Sequence, residues 1–379
     1  MDSYAVTPEE VDAANATIGK KKEKKGLGML KSVAGAATGT SQIIGEVDTV
    51  DTNMAAVLQK YFDQQGVAAR MVGKWFGYNM NGDNKYDDEG TLIVERGGYA
   101  ARKQDLINSN TSANKMAAFS ALGEQMIPKT FVLAINLRYR SIKEIVEEAT
   151  AAASAAASMF GGYGQLAGAA LSAGTKLANV DGYSVQAVAY LYQLEWDPEI
   201  EANFYEYWDK PIEDLIASGI CKVKFVGKTK DRSNVGSVGK SNKGTEHIQR
   251  AVARAIDKTI VKLQKEYEDF RTNAPITKVE NGYVYAEIGM KEGLVKGDKY
   301  DILEKQEDEK GNVTYKKVGS VEPDPNMIWD NRYGAFDTID SDDKDEAGNA
   351  DAIKLGASAF KCKSKNVYPG MFLRLAKKK

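Results

Sequence analysis

Few residues in this 379-residue chain have the types and spacing that catalysis or metal binding requires. The chain contains one histidine, His247, and two cysteines, Cys221 and Cys362. A single histidine cannot build a multi-histidine metal centre, and two cysteines so far apart make neither a zinc knuckle nor a disulfide framework. The two thiols either pair with each other or stay free. We therefore expect no metal and no cofactor, and His247 is interpreted as a surface or boundary residue of a helix.

Two segments approach ligand-binding motifs but fail at key positions. The segment 236–241 ends in Gly-Lys-Ser, yet the first glycine of a phosphate-binding loop would fall on Asn234. The segment 79–90 resembles a calcium-binding loop, but its sixth position is Asn84 instead of glycine and its twelfth is Gly90 instead of glutamate. A Gly-x-Ser-x-Gly nucleophile motif is also lacking. We predict solvated loops at both places and a protein that is not an enzyme.

The overall charge is balanced, but its distribution along the chain is uneven. Lysine plus arginine total 51 and aspartate plus glutamate 53, which argues against a general nucleic-acid binder. A basic run lies at 20–25, an uncharged stretch at 149–175 and an acidic loop at 337–346. The hydrophobic content of 43% is enough to build a core. This segregation indicates surfaces that meet other surfaces.

Alternating helical and strand-like segments predict a layered α/β domain over residues 46–274. Its longest helix, 245–270, has an apolar stripe that begins at Ile248 and places Arg250 and Arg254 on the opposite, polar face. Further helices are predicted at 53–64 and 103–126, with two helical pieces within 198–218 that break at Pro211. Strands are predicted at 71–76, 91–95, 131–137, 184–196 and 220–226. The run 131–137 is apolar enough to predict a strand covered on both faces.

From about residue 275 onwards the pattern changes to short strands and turns. We predict a small antiparallel β-barrel or open sheet over 275–379. Its predicted strands are 282–289, 299–304 and 313–318, and the last apolar run, 368–375, is predicted as the closing strand.

The stretch 149–175 predicts a helical hairpin inserted at 142–180 of the α/β domain, because it is rich in alanine and glycine and has no charge. Three interpretations remain open: tight packing inside the protein, contact between subunits, and insertion into a membrane. Residues 26–39 share this composition, and the arm 1–45 is either flexible or docked on a membrane surface or a neighbouring subunit. The candidate partner or oligomer contacts are Phe160, Tyr163, Gly164, Leu166, Gly168, Leu171, Leu27 and Leu30.

The order of elements up to the long helix resembles the α/β domain shared by the flagellar assembly protein T family and the curli secretion channel lipoprotein family. The stretch 276–289, followed by Gly293-Leu294-Val295-Lys296-Gly297-Asp298, resembles the C-terminal SH3-like barrel of the flagellar family. The texture also resembles that of uncharacterised envelope proteins of Bacteroidetes. The resemblance implies an exported, non-enzymatic assembly or scaffold protein of the cell envelope and carries over no catalytic residue.

The functional expectation is therefore a structural protein that forms a homo-oligomer or an envelope complex through protein–protein interaction. It would be periplasmic or associated with the outer membrane. Because residues 1–4 lack the pattern of a secretory signal, a cytoplasmic location is the alternative. The alternative function is a binding module for a small ligand or glycan, with its cleft between the α/β domain and the barrel.

Overall fold

The fold is mixed α+β, with a three-stranded sheet, several helices and a closed six-stranded β-barrel. The protein was analysed as a computed structural model, which describes residues 54–78, 86, 91–100, 123–141, 143–144, 147, 180–238, 244–268, 270–271, 273–307, 313–335 and 350–376. The described chain divides into two compact units. The first lies within 50–134 and 190–228, and the second, called here the barrel unit, lies within 135–189 and 229–379.

The first unit begins with three helices: α1 (Met54–Gln64), α2 (Val67–Trp75) and α3 (Thr91–Ala100). The prediction of α1 is confirmed, and the chain turns after it at Gly66, whose φ of +60° favours glycine. The strands predicted at 71–76 and 91–95 are wrong, because both runs are helical. A short apolar run is compatible with either a strand or a helix. Here the helix is favoured because it buries Ala68, Ala69 and Val72 along one face.

The three-stranded sheet consists of β1 (Phe131–Ser141), β2 (Val180–Leu194) and β3 (Val223–Val238), with β2 in the centre. The amide of Leu194 donates to the carbonyl of Thr130 at 2.9 Å, and that of Glu195 donates to Lys222 at 3.0 Å. Because the end of β2 lies beside the starts of both neighbours, both run antiparallel to it. The predicted strands are confirmed, but β3 extends to Val238 and includes the first half of the loop predicted at 236–241.

Two helices, α4 (Pro198–Tyr205) and α5 (Ile212–Ser218), connect β2 to β3 and confirm the predicted break at Pro211. Asp197 caps α4, since its Oδ1 accepts from the amides of Glu199 and Ile200 at 2.9 and 2.8 Å. Phe204 of α4 is fully buried. Its ring contacts those of Phe76, Tyr86, Trp196, Tyr205 and Trp208, with centroids 4.7–5.9 Å apart.

The long helix α6 (Gly244–Glu266) is confirmed, but its most buried line differs from the prediction. Its alanines Ala251 and Ala255 pack against Val185 and Ala187 of β2. Small side chains let a helix approach a sheet closely, so this alanine line is buried more deeply than the isoleucine stripe. Three polar residues, His247, Arg250 and Arg254, are also buried, with 4–7% of their surface exposed. The interpretation of His247 as a surface or boundary residue is therefore wrong, and the face opposite the isoleucine stripe is not polar and exposed at Arg250 and Arg254.

The barrel is closed and antiparallel, and its strands follow the order β4-β5-β8-β7-β6-β9. It closes because β9 pairs with both β4 and β6. The strands are β4 (Ala274–Glu280), β5 (Tyr283–Ala286), β6 (Tyr300–Glu307), β7 (Val313–Pro323), β8 (Ser358–Lys361) and β9 (Phe372–Leu375). A short helix, α7 (Ala350–Ile353), precedes β8.

The barrel strand β4 was not predicted, although the signal for it is present. Asn281 and Gly282 have φ of +51° and +80° between the paired residues Glu280 and Tyr283. This Asn-Gly pair is the preferred two-residue hairpin turn, so the strand after it implies a strand before it. The barrel core contains Ile276, Val284, Ala286, Leu294, Tyr300, Ile302, Val321, Ile328, Phe360, Met371 and Leu373.

Several predictions fall outside the described residues. These are the arm 1–45, most of the helix 103–126 and of the insertion 142–180, and the acidic loop 337–346. All the candidate contact residues lie there too: Leu27, Leu30, Phe160, Tyr163, Gly164, Leu166, Gly168 and Leu171.

Candidate binding site in the barrel unit

The barrel unit contains an open cleft of about 470 Å³ between the turn after β5, the loop after β7 and helix α7. Charged, polar and apolar side chains all line it. The lining residues are Glu287, Lys291, Glu292, Trp329, Asp330, Asn331, Arg332, Ala335 and Ile353.

Ser358, a fully buried residue, holds two walls of the cleft together. Its hydroxyl donates to the carbonyl of Ile288 at 2.6 Å and accepts from the amide of Trp329 at 2.8 Å. The amide of Met290 donates to the carbonyl of Trp329 at 2.9 Å, which brings the two loops into direct contact. A Cβ at Gly289 would collide with that same carbonyl oxygen, so the approach requires glycine.

A side-chain network fixes the loop over 289–292. Asn331 Oδ1 accepts from the amide of Lys291 at 2.9 Å, and its Nδ2 donates to Glu292 Oε2 at 2.7 Å. The same carboxylate oxygen accepts from the amide of Gly289 at 2.7 Å. Since Asn331 and Glu292 are committed to these bonds, their role is to shape the cleft.

The deepest charged group of the cleft is Asp330, with only 2% of its surface exposed. Arg332 forms a bidentate pair with it, because Nε donates to Oδ1 and Nη2 donates to Oδ2, both at 2.8 Å. Burial alone would raise the pKa of Asp330, but the bonds and charge of Arg332, together with the charge of Arg254, lower it below its usual range. Asp330 therefore stays ionised at neutral pH and orients the Arg332 guanidinium beside the cleft.

A second carboxylate, Asp257 of α6, lies in the electrostatic field of the cleft. Burial raises its pKa, the charge of Lys291 lowers it, and that of Glu292 raises it, with a net upward shift. The charges of the cleft are therefore felt by the helix that packs on the sheet.

The described lining residues include no serine, cysteine or histidine, so the cleft presents no nucleophile and base of the hydrolase kind. The cysteines are free thiols outside the cleft, and burial raises the pKa of Cys221 to about 11. In the described part of the chain, no group of histidine, cysteine, aspartate and glutamate side chains has an arrangement that could hold a metal ion. What the cleft offers is an oriented guanidinium, an exposed lysine and the apolar side chains of Trp329, Ala335 and Ile353.

Sequence analysis did not find this site. Its two walls lie about 40 residues apart in sequence and come together only through the barrel. The sole local signal is the Gly-Leu-x-x-Gly-Asp turn: Leu294 is buried, and Asp298 Oδ2 accepts from the amide of Val295 at 3.1 Å.

No protein-family model matches the chain, and no curated protein matches it significantly. None of the helices among the described residues is long and apolar enough to cross a membrane.

The lowered pKa of Asp330 predicts loss of stability in acid. Its contribution is complete above the pKa of an unfolded aspartate, about 3.9, and is lost as the pH falls through the lower pKa of the folded state. We expect the free energy of unfolding of the barrel unit to fall between pH 6 and pH 3, and to fall less in Asp330→Asn. Denaturant titrations at both pH values measure the difference. An equal fall in both proteins would contradict the prediction.

Proposed function

We propose that this chain is a non-enzymatic scaffold or assembly protein of the cell envelope, and that the cleft of the barrel unit binds a short segment of a protein partner. The observation that supports the proposal is the Arg332 guanidinium, held by buried Asp330 in a cleft that Trp329 and Ile353 also line. In keeping with the resemblance, the barrel is of the SH3-like kind and the preceding helices and sheet form a layered domain. Self-association through the small-residue segments 26–39 and 149–175 belongs to the same proposal.

The chemistry of the cleft favours a segment that combines a carboxylate with an apolar side chain. The Arg332 side chain keeps 25% of its surface exposed while two of its donor groups bind Asp330, so its positive charge borders the cleft. Exposed Lys291 adds a second positive charge, and Trp329 and Ile353 provide apolar contact. A partner carboxylate that is partly desolvated here gains from a charge-assisted hydrogen bond.

The size of the cleft favours a second candidate function, the binding of a small ligand or glycan. A volume of about 470 Å³ lies within the range of small-molecule sites, and Trp329 offers an aromatic surface. The two functions differ in the ligand whose binding depends on Arg332: an acidic peptide segment in the first, and a sugar or small acid in the second.

Selection from a displayed library of random nonapeptides against the whole protein tests the first function. We expect selected peptides to carry Asp or Glu beside an apolar residue, and their affinity to fall about 10- to 100-fold in Arg332→Gln, because a bond to a charged group is lost. The matched control is Arg374→Gln, since Arg374 lies against Tyr315 and bonds Asn273 away from the cleft. Equal losses in both variants would refute the proposal, and a sugar or small acid that alone needs Arg332 would favour the second function.

A further inference from the structure

Three carboxylates line the cleft of the barrel unit, and two of them are already engaged. Asp330 forms its bidentate pair with Arg332. Glu292 accepts from the amide of Gly289 at 2.7 Å. The third, exposed Glu287, forms no side-chain hydrogen bond or salt bridge with any residue that the structure describes. Its two oxygens therefore keep their acceptor sites for a ligand.

Lys291 lines the same cleft and lies four residues after Glu287 on the same loop. It is exposed, and no salt bridge joins it to Glu287 among the described residues. Midway between the two, Gly289 pairs with Trp329, where the walls of the cleft meet. Four residues of chain span at most about 14 Å, so the Cα atoms of Glu287 and Lys291 lie within that distance. One wall of the cleft therefore offers a negative and a positive charge at nearby positions.

Trp329 adds an aromatic ring to the cleft. Its Nε1 donates to the carbonyl of Ile353 at 3.2 Å, which fixes the orientation of the ring. The residue stays partly exposed and lines the same cleft as Glu287. A carboxylate and an aromatic ring suit an ammonium or guanidinium group, because the first supplies a charge-assisted hydrogen bond and the second a cation–π contact. The cleft therefore has groups for a cation as well as for a carboxylate.

We propose that the segment bound in the cleft carries a lysine or arginine two or four positions from its acidic residue, and that Glu287 selects for this basic residue. The inference rests on the proposed function, in which Arg332 and Lys291 face the acidic residue. Side chains two and four positions apart on one face of an extended segment are about 7 and 13 Å apart, within the span set by the loop. A second acidic residue in place of the basic one would face Glu287 and be rejected by like charge.

Selection from the nonapeptide library, repeated with the whole Glu287→Lys protein, tests the specificity. We expect the wild type to select peptides with Lys or Arg two or four positions from Asp or Glu, and Glu287→Lys to select a second Asp or Glu there. The control Glu280→Lys, at a residue that pairs with Lys278 outside the cleft lining, should keep the wild-type preference. Acidic peptides without an enriched basic residue, or with the same enrichment in Glu287→Lys, would overturn this inference and leave the proposed function standing. Selection of no acidic peptides would overturn both.

Isothermal titration calorimetry with one synthetic peptide from that selection tests for a direct pair. We expect its affinity to fall about three- to tenfold in Glu287→Gln, because one partly exposed ion pair is lost. Changing the basic residue of the peptide to glutamine should cost about as much with the wild type and nothing further with Glu287→Gln. Arg332→Gln should weaken both peptides. Circular dichroism verifies that each variant is folded. Losses that simply multiply when both changes are made would refute contact between Glu287 and the basic residue.

Discussion

Replacement of Asp330 by alanine is expected to lower the free energy of unfolding of the barrel unit by about 3–5 kcal/mol. The carboxylate is 2% exposed and balances Arg332 directly, with Arg254 nearby. Removal of one partner of a buried ion pair leaves the remaining charge desolvated and uncompensated, which costs that much. Hydrogen exchange measures the effect locally, since peptides from β5 to β8 should exchange faster while those of α1 and α2 keep their rates.

The matched control is an ion pair at the surface of the same barrel. Asp301 pairs with Lys317, whose side chain is 55% exposed, so Asp301→Ala should cost less than about 1 kcal/mol. We also expect Asp330→Ala to lose peptide binding as Arg332→Gln does, because Arg332 would no longer be oriented. If the two aspartate variants proved equally stable, Asp330 would not be the electrostatic centre of the cleft.

Phe204→Ala is expected to destabilise the first unit by about 3–5 kcal/mol. Its ring is fully buried and contacts five other rings, so truncation leaves a cavity that the rigid aromatic neighbours cannot fill. Denaturant unfolding followed by tryptophan emission reports on this site, because Trp196 and Trp208 both contact Phe204.

Tyr205→Ala is the control for Phe204→Ala on the same helix. Half of the Tyr205 surface is already exposed, so we expect a loss below about 1 kcal/mol. Equal losses in the two variants would mean that the aromatic cluster does not form the core of this unit.

The sequence predictions were accurate where a periodic pattern extends over many residues, and they failed where contacts between distant segments determine the structure. α6 was predicted within one residue at its start and four at its end, because its apolar spacing persists over 23 residues. The run 71–76 was predicted as a strand because six residues are too few to separate the two periodicities. The run is helical because α2 packs against the rest of the first unit, where Gly73 lies close to Ile212 of α5.

The sequence by itself determined the helices α1, α4, α5 and α6, most of the strands, the β-rich C-terminal region and the uneven distribution of charge. These depend on neighbours within a few residues, where hydrophobic period, turn residues and charge runs act directly. Only the tertiary structure decided that Arg254 and Asp330 are buried and that Gly289 meets Trp329. A charged side chain is buried when the fold places a partner residue from a distant part of the chain beside it. The residues next to it in sequence do not reveal which residue that partner is.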